Sequence, residues 1–369
     1  MVELPGTADV IVIGGGCTGT SVAYHLAKSG AKVLLLEKNS LASGSTGYSA
    51  GLITQQFGTE MHVRLARESM SFFEELAGEK SLGLKFHQNG YLHLLFTPAQ
   101  LELARRQVAL QRSLGVDSRI LSATEVHLLI NSLRVEDVVG ATYCPRDGYT
   151  DPHLTVNIFA DLARAHGATI AQWTEVTSVE APNGRVTGVV TARGTVSSPI
   201  VVDAAGPWAA LVAETVGIDL PVRPFKRQLW FTRPGDRVPD GAPVLFDTQH
   251  DFYFRREGDG LLMCLGNPTE PSNFDTALDW SFAPQVAEYA TFRFPPFEKS
   301  QLISGWAAPR DITPDHEPVL GEIPGIEGFV AAAGHSGHGF MLSPAIGRAI
   351  AELILHGQSS IDIDSLSLR

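Results

Sequence analysis

The sequence predicts an α/β protein built around a nucleotide-binding sheet, because the order strand, glycine turn, helix occurs three times. Near the start, β-branched Val10–Ile13 precedes a glycine-rich turn, apolar residues at helical spacing and a second apolar run, Val33–Leu36. The same order recurs at residues 201–209 and 329–354. Apolar strands that alternate with helices are typical of parallel sheets. We therefore expect an α/β fold.

The first turn carries the pattern Gly14-x-Gly16-x-x-Gly19, and Glu37 ends the second strand. In a dinucleotide-binding unit the first glycine makes the turn, the second lets a pyrophosphate reach the backbone, and the third lets helix and strand pack. The acid accepts the ribose hydroxyls of an adenosine and repels a 2′-phosphate. This pattern predicts a site for NAD or FAD and does not distinguish them, because both contain ADP. Cys17 is interpreted as a small residue that fits the turn.

A polar stretch, SLASGSTGYSAGLI at residues 40–53, follows directly after this acid. Its hydroxyls and glycines cannot form a core. It is either a slack loop or a second group of donors around the pyrophosphate. The second interpretation suits an extended FAD.

Near the other end, GHSGHGF at residues 334–340 joins a buried strand to an apolar-faced helix. Glycines let the backbone approach a bound group, and a helix start offers free N–H groups and a partial positive charge. The stretch therefore indicates a site for a flat or anionic group, or a tight crossover whose glycines serve only chain geometry.

Composition and charge argue against several classes of protein. The 369 residues suit one large or two interleaved domains. A net charge of −12 and the lack of a basic run argue against a nucleic-acid partner. The 3 cysteines have no metal-ligand spacing, so we expect no disulfide framework and no metal. No apolar run is long enough for a membrane span and no signal pattern precedes the fold, so we expect a cytoplasmic protein.

Six blocks occur in order along the chain: GGGCTG, LLLEK, SGSTGYSAG, VVDAAGPWA, GWAAPRDITPDHEPVLG and GHSGHGFMLSPAIG. In this order the sequence resembles the D-amino-acid oxidase superfamily. It is most similar to the branch with the sarcosine oxidase beta subunit, dimethylglycine dehydrogenase, proline dehydrogenase and glycine oxidase. The resemblance implies a glutathione-reductase-like FAD-binding Rossmann domain, with an interleaved α+β substrate domain on a largely antiparallel sheet. It also implies FAD and oxidation of an amino acid's C–N bond.

The resemblance further implies that the nucleotide fold is split. We assign residues 1–85, 143–222 and 305–369 to the FAD-binding domain, and residues 86–142 and 223–304 to the substrate domain. Helices are expected at 59–77 and near 98–114, the latter as one helical stretch in the substrate domain. A strand is expected to return to the nucleotide fold at 174–176.

The expected cofactor-binding residues lie in the glycine turns, the polar loop and the strand ends. They are Gly14, Gly16, Cys17, Thr18, Gly19, Glu37, Lys38, Ser45, Thr46, Ala50, Gly51, Leu52, Val176, Ala205, Gly206, Trp208, Gly334, His335, Ser336, Gly337, His338, Gly339, Phe340 and Met341. By resemblance, residues 334–341 run beside the isoalloxazine ring and the helix start faces its pyrimidine edge. The Trp208 side chain is expected in the core rather than in the site.

The resemblance also bears on how the flavin is held. Relatives similar to dimethylglycine dehydrogenase carry a covalent link from a histidine at the place of Tyr48. Monomeric sarcosine oxidases use a cysteine at the place of Ala308. Neither nucleophile is present here, so we expect noncovalent FAD.

Arg310, Tyr253 and His338 are the catalytic candidates. Oxidation of an amino acid requires a held carboxylate, a neutral amine and a Cα–H placed over the flavin. Arg310 matches the arginine that binds the substrate carboxylate in glycine oxidase-like relatives, and its planar fork suits that role. The alternative for Arg310 is a surface ion pair.

The other two candidates are less specific. Strand period places Tyr253 and Arg255 on one face, which points toward substrate or toward solvent. His338 either stabilises reduced flavin as a cation or caps its loop, and for His335 we favour the cap. Lys226, Arg227 and Gln228 are weaker candidates for residues that line the same sheet beside the substrate. His250 and His316 are interpreted as structural or exposed. The positions that match the carboxylate-binding arginine and lysine of sarcosine oxidase are Gly51 and Met341, which argues against strict sarcosine specificity.

The sequence thus predicts FAD-dependent oxidation of an amino acid or N-alkyl amino acid of the sarcosine, proline or glycine type, giving an imine that hydrolyses. Its partners would be a small amino-acid-like substrate and dioxygen or an electron-accepting partner, and an oligomer is compatible with the sequence. Two alternatives stay open: a flavin-binding subunit of a larger amine dehydrogenase complex, and a nicotinamide-dependent dehydrogenase.

Overall fold

The computed structural model describes residues 2–233 and 241–368. The strands in this part of the chain are β1 (Val10–Ile13), β2 (Val33–Leu36), β3 (Leu52–Ile53), β4 (Tyr91–Leu95), β5 (Arg119–Leu121), β6 (Gly140–Cys144), β7 (Gly148–Tyr149), β8 (Thr169–Ala171), β9 (Val176–Glu180), β10 (Gly188–Thr191), β11 (Gly194–Ser197), β12 (Ile200–Asp203), β13 (Arg223–Thr232), β14 (Val244–Asp247), β15 (Phe252–Glu257), β16 (Gly260–Leu265), β17 (Leu302–Ile312), β18 (Val319–Glu322) and β19 (Phe329–Ala333). The α-helices are α1 (Cys17–Lys28), α2 (Glu60–Gly78), α3 (Pro98–Ser113), α4 (Ala123–Leu129), α5 (Pro152–Ala165), α6 (Ala209–Glu214), α7 (Ala283–Arg293) and α8 (Gly339–His356).

A six-stranded sheet in the order β18-β19-β12-β1-β2-β8 organises the nucleotide-binding side. Its neighbouring strands are parallel except β18, which runs antiparallel to β19 at the edge. Successive residues of β1 point to opposite faces, with Val10 and Val12 in one core and Ile11 and Ile13 in the other. This explains the unbroken apolar run of the strand, because a parallel sheet is buried on both faces.

Helices cover one face of this sheet and a smaller sheet covers the other. α1, α2, α5 and α8 share the first core. The antiparallel sheet β11-β10-β9 and helix α6 share the second. The strand expected at 174–176 begins only at Val176 and joins this smaller sheet. α1 and α8 cross closely, since a Cβ at Gly347 would lie 2.1 Å from Ser21 Oγ.

The second large sheet has eight strands in the order β17-β13-β16-β15-β14-β4-β6-β5. Its neighbours are antiparallel apart from the parallel pair β14 and β4, so the prediction of a largely antiparallel sheet is confirmed. The predicted helix near 98–114 is α3. The prediction of one helical stretch was wrong, because α4 and α7 also belong to this region and pack through Val126 and Val286 against the sheet. α4 has 7 residues, too few for a helical period to stand out in a sequence.

The predicted domain boundary at residue 305 falls inside one strand of this sheet. Residues 86–142 and 223–304 supply most of its strands, but β17 extends to Ile312 and pairs along its length with β13. Residues 305–312, assigned above to the FAD-binding domain, therefore lie in the eight-stranded sheet. The domain division itself stays a prediction. Within the substrate-domain range 223–304, residues 234–240 lie outside the described residues.

Within residues 2–233 and 241–368, none of the helices combines the length and apolar character needed to cross a bilayer.

Candidate active site

A deep cleft of about 830 Å³ separates the carboxyl edge of the parallel strands from the inner face of the eight-stranded sheet. The turn after β1, the end of β2, the polar loop at 43–51, the start of β9 and the turn after β12 line one part of it. Side chains from β4, β13, β15 and β17 and the turn at 335–341 line the other part. Open α/β sheets bind ligands at this edge. The two glycine-rich turns singled out in the sequence therefore lie on one cleft.

The turn after β1 cannot accept side chains at two of its glycines. Gly14 has φ +111°, and a Cβ there would lie 2.3 Å from the carbonyl oxygen of Ala204. A Cβ at Gly19 would lie 2.0 Å from the carbonyl oxygen of Gly14. Because neither glycine has a Cβ, helix α1 packs closely against the strand ends, and the turn exposes backbone rather than side chains to the cleft.

Glu37 is fixed at the same end of the cleft. Its Oε2 accepts the Gly15 N–H at 2.7 Å, and its Oε1 accepts the Asn39 N–H at 2.7 Å. Each carboxylate oxygen keeps further lone pairs for a ribose hydroxyl. The acid is thus oriented by the glycine turn itself.

Helices α1 and α8 both begin at the cleft. Their N-cap residues, Gly16 and His338, make no side-chain cap, and neither first turn contains an acidic residue. The Cys17 N–H donates to Thr46 Oγ1 at 3.2 Å, so the polar loop covers one of these starts. Uncapped N–H groups and the positive end of each helix dipole favour negative charge at each of these two starts. The start of α1, directly after the dinucleotide turn, fits a pyrophosphate.

The early and late turns are joined by a buried hydrogen-bonded chain. Asp311 Oδ2 accepts both the backbone N–H and the Nδ1 of His335, each at 2.9 Å, and His335 Nε2 lies 3.2 Å from Thr18 Oγ1. Burial raises the pKa of Asp311, but the hydrogen bonds and charge of His335 hold it below its ordinary value. This arrangement is consistent with the structural role expected for His335.

Trp208 is half-buried on the cleft wall, so the expectation that its side chain lies in the core was wrong. Its ring stacks on Phe274 with centroids 5.5 Å apart, and Lys38 Nζ lies 3.5 Å from the ring centroid. The short turn after β12 faces the cleft and not the layer of helices, which places this side chain at the surface. Burial lowers the pKa of Lys38.

Arg310, on β17, lies at the end of the cleft formed by the eight-stranded sheet. Among the described residues its guanidinium has no hydrogen-bond or ion-pair partner, and its Nε is buried. Burial, followed by the nearby Arg227, lowers the pKa of Arg310 to about 10. A Cβ at Gly337 would lie 2.8 Å from its Nη1, so this glycine leaves room for the guanidinium. The site therefore contains a cation without a counterion.

Arg227 is a second cation on the same face. The register of β13 and β17 pairs Arg227 with Ala308, two residues before Arg310. Its Nη2 lies 2.6 Å from Asp251 Oδ2. Asp251 was missed in the sequence, although it is a polar residue directly before the alternating strand β15.

Tyr253 lines the cleft, next to Phe246 on one neighbouring strand and Cys264 on the other. Burial raises its pKa well above the ordinary value, so its phenol is neutral. Arg255, predicted on the same face, is buried away from the cleft: its Nε donates to the Ala50 carbonyl at 2.7 Å and its guanidinium lies 4.4 Å from the Tyr149 ring centroid. Of the two residues, only Tyr253 therefore lines the cleft.

His338 and His93 line this end of the cleft, together with the exposed His316. His338 is open to solvent through the cleft, yet the protein around its ring removes part of its hydration, and this desolvation, with His62 next, lowers its pKa to about 4. Burial likewise lowers the pKa of His93 to about 4. Both rings are neutral at pH 7, which disfavours a cationic role for His338. His93 was missed in the sequence, although a polar residue inside the apolar run YLHLL was a usable signal.

The structure brings nearly all of the predicted site residues to this cleft. The exceptions are Gly19 and Gly334, which do not line it. A Cβ at Gly334, which has φ +73°, would lie 2.5 Å from Thr313 Cγ2, so this glycine serves the turn geometry. Tyr48 and Ala308, the places of the covalent links in relatives, both line the cleft.

Known proteins resemble this chain over nearly its whole length. The model of the FAD dependent oxidoreductase (DAO) family matches residues 9–353. Mitochondrial sarcosine dehydrogenase of Homo sapiens is 34% identical over 384 residues, which cover 99% of this chain and 42% of that protein. The mitochondrial pyruvate dehydrogenase phosphatase regulatory subunit of Mus musculus is 29% identical over 382 residues, covering 100% of this chain and 44% of that protein. This chain thus spans less than half the length of these two relatives.

A solved structure of L-proline dehydrogenase from P. horikoshii superposes with a TM-score of 0.93 at 31% identity, covering 99% of this chain and 97% of that one. Glycine oxidase from Geobacillus kaustophilus superposes with a TM-score of 0.87 at 27% identity and covers 99% of both chains.

Proposed function

Because the chain belongs to the DAO family of FAD-dependent oxidoreductases, as its six sequence blocks predicted, we propose that it oxidises the C–N bond of an amino acid or N-alkyl amino acid. FAD is the cofactor of this family, and when bound it accepts the two electrons removed from the substrate carbon. The product would be an imine that water hydrolyses. Substrates of the sarcosine, proline or glycine type are supported by the names of the similar proteins.

The cofactor residues proposed here follow the geometry of the cleft. Glu37 would accept the adenosine ribose hydroxyls, the start of α1 would hold the pyrophosphate, and the start of α8 would face the pyrimidine edge of the flavin. The bare backbone at 335–341 would lie along the flavin ring. With tyrosine and alanine at the two positions that carry covalent links in relatives, the flavin would be held noncovalently.

The guanidinium of Arg310, which has no partner within residues 2–233 and 241–368, is the observation that carries the proposal. A half-buried cation without a counterion is costly, and a substrate carboxylate would remove that cost through two parallel hydrogen bonds. Arg310 would thereby position the substrate's Cα, which bears the reacting hydrogen. Tyr253 and His338 flank the same space and would position the rest of the substrate.

The charges at this end also favour a neutral amine. Arg310 and Arg227 are cations, and His93 and His338 are neutral. A positive field lowers the pKa of a bound substrate's ammonium group. The chain would thus promote loss of the amine proton before oxidation.

Anaerobic reduction of the flavin tests the proposal. Purified holoprotein is mixed without oxygen with proline, sarcosine, N,N-dimethylglycine or glycine, and the visible absorbance is followed. We expect at least one of these amines to bleach the flavin, and Arg310→Met to require far more substrate. The matched control is Arg64→Met, which removes an exposed arginine paired with Glu60. Bound FAD that none of these amines bleaches would refute the proposed activity.

A second candidate function is a flavin-binding subunit within a larger assembly. The similarity to a regulatory subunit over the whole chain favours it. Holoprotein that keeps FAD but is not reduced by amines would support this candidate. The nicotinamide alternative has no such support, because the family match names FAD.

The electron acceptor and the compartment are also proposals. Dioxygen or an electron-accepting partner would reoxidise the flavin, and stopped-flow reoxidation of reduced protein in aerated buffer distinguishes them. A reducing compartment such as the cytoplasm is supported by Cys17, Cys144 and Cys264, which are all unpaired.

A further inference from the structure

Two arginines lie at the substrate end of the cleft, and only one of them forms an ion pair with a described carboxylate of the protein. Arg227 and Arg310 lie on the same face of neighbouring strands, two residues apart in register. Arg227 is paired with Asp251 at 2.6 Å, whereas Arg310 has no partner among the described residues. The pair leaves one uncompensated cation.

Asp251 is held in place by its turn and by the neighbouring strand β16. The turn between β14 and β15 is anchored by the buried ion pair of Asp247 and Arg293, 3.0 Å apart. The Asp251 carbonyl accepts the Gly266 N–H at 2.9 Å. A Cβ at Gly266 would lie 2.4 Å from Asp251 Oδ2, so the carboxylate packs over a glycine that leaves room for it.

The backbone of Asp251 supports the same interpretation. Its φ is +50°, in the left-handed region that costs a non-glycine residue free energy. Glycine and asparagine also adopt that conformation, and neither carries a charge. With aspartate at this position, the turn presents a carboxylate on the cleft wall.

We propose that Asp251 determines the charge class of the substrate, by occupying Arg227 in place of a second substrate carboxylate. This inference rests on the proposed function, since it takes Arg310 as the site of the first carboxylate. With Asp251 present, the site accepts an amine with one carboxylate. Without Asp251, Arg227 becomes free and the site accepts a dicarboxylic amine.

Other charges near this end do not change that reasoning. His93 and His338 are neutral at pH 7, and Tyr253 is a neutral phenol. Asp311, the other nearby acid, also lines the cleft, but its carboxylate is bound by the backbone N–H and the ring of His335. The balance between one and two free cations therefore depends on Asp251.

Isothermal titration calorimetry of FAD-loaded protein with sodium acetate, malonate and succinate tests the inference without requiring turnover. For Asp251→Asn we expect the affinity for at least one dicarboxylate, relative to acetate, to rise about tenfold over wild type. The double variant Asp251→Asn with Arg227→Gln should lose this gain. Asp275→Asn is the matched control. It removes a carboxylate whose Oδ2 lies 2.8 Å from Nζ of Lys226, the residue before Arg227.

The outcomes separate this inference from the proposed function. An unchanged dicarboxylate-to-acetate ratio in Asp251→Asn, with acetate still bound, overturns the role of Asp251 alone. A gain that persists in the double variant also overturns it, because Arg227 would then not be the second site. Acetate binding that is absent, or unaffected by Arg310→Met, overturns the Arg310 site and this inference with it. If Asp251→Asn does not fold, Asp251→Gly suits the same backbone and gives the same test.

Discussion

Replacement of Arg310 by methionine should change binding and stability in opposite directions. The side chain is a half-buried cation with no counterion in the described part of the chain, and in the proposed complex it pairs with the substrate carboxylate. Methionine keeps most of the length and apolar volume but removes the charge. The variant should therefore bind substrate more weakly, while the free holoprotein becomes more stable.

The binding loss can be approximated from the pair that is broken. Removing one partner of a desolvated charge pair costs about 2–5 kcal/mol, which corresponds to a rise in KM or Kd of about thirty-fold to a few thousand-fold. Arg310→Lys keeps the charge but not the planar fork, so its loss should be intermediate. Anaerobic flavin titration with the best amine of the panel measures both variants.

The stability gain follows from the lowered pKa. Burial and Arg227 hold the pKa of Arg310 at about 10, below the ordinary 12.5. A group whose charge is disfavoured in the fold destabilises it at every pH below that value, so the penalty is fully present at pH 7. With partial solvent screening, its removal should stabilise the protein by about 1–2 kcal/mol.

Thermal unfolding without added carboxylate tests this, with Arg64→Met as control. A substrate affinity within about threefold of wild type in Arg310→Met would refute the assignment, since a broken buried pair costs more than that. A less stable variant would instead show that Arg310 has a structural partner.

Four further experiments test the rest of the site. Gly19→Ala should lower FAD content and thermal stability, because the added Cβ would lie 2.0 Å from the carbonyl oxygen of Gly14. The control Gly78→Ala should be neutral or slightly stabilising, because its Cβ would meet no atom within 4 Å. Equal behaviour of the two variants would contradict the steric argument. Asp311→Asn should remove a contribution to stability that is present above about pH 4 and lost as the pH falls through the lowered pKa of the carboxyl, which acid unfolding of both proteins measures. His93→Phe should reduce the stability that is lost between pH 8 and pH 5. The pKa of His93 is about 4 in the fold, so over this range the unfolded chain binds a proton at this residue and the folded chain does not. Urea unfolding at both pH values measures the loss, and an equal loss in both proteins would show that His93 is protonated in the fold. Acid precipitation of the wild-type protein should release all of the flavin, and yellow colour left in the pellet would contradict noncovalent binding.

The amino-acid sequence alone determined the local features whose cause is local. Gly14 and Gly19 are required by contacts within one turn, and the run after them has the spacing of one helix. Strand period separated the two faces of β15, but it left open whether the face of Tyr253 meets the cleft or solvent. The ordered blocks identified the family and its fold class, since each block is a short segment with its own backbone geometry.

Only the tertiary structure decided which distant residues meet. Thr18 and His335 are separated by 317 residues, yet they share a hydrogen bond because α1 and α8 begin at the same sheet edge. Arg310, Arg227 and Asp251 come from β17, β13 and the turn before β15, and their pairing depends on strand register. Which arginine is paired and which is free is set by distances between strands, which no local pattern in the chain records.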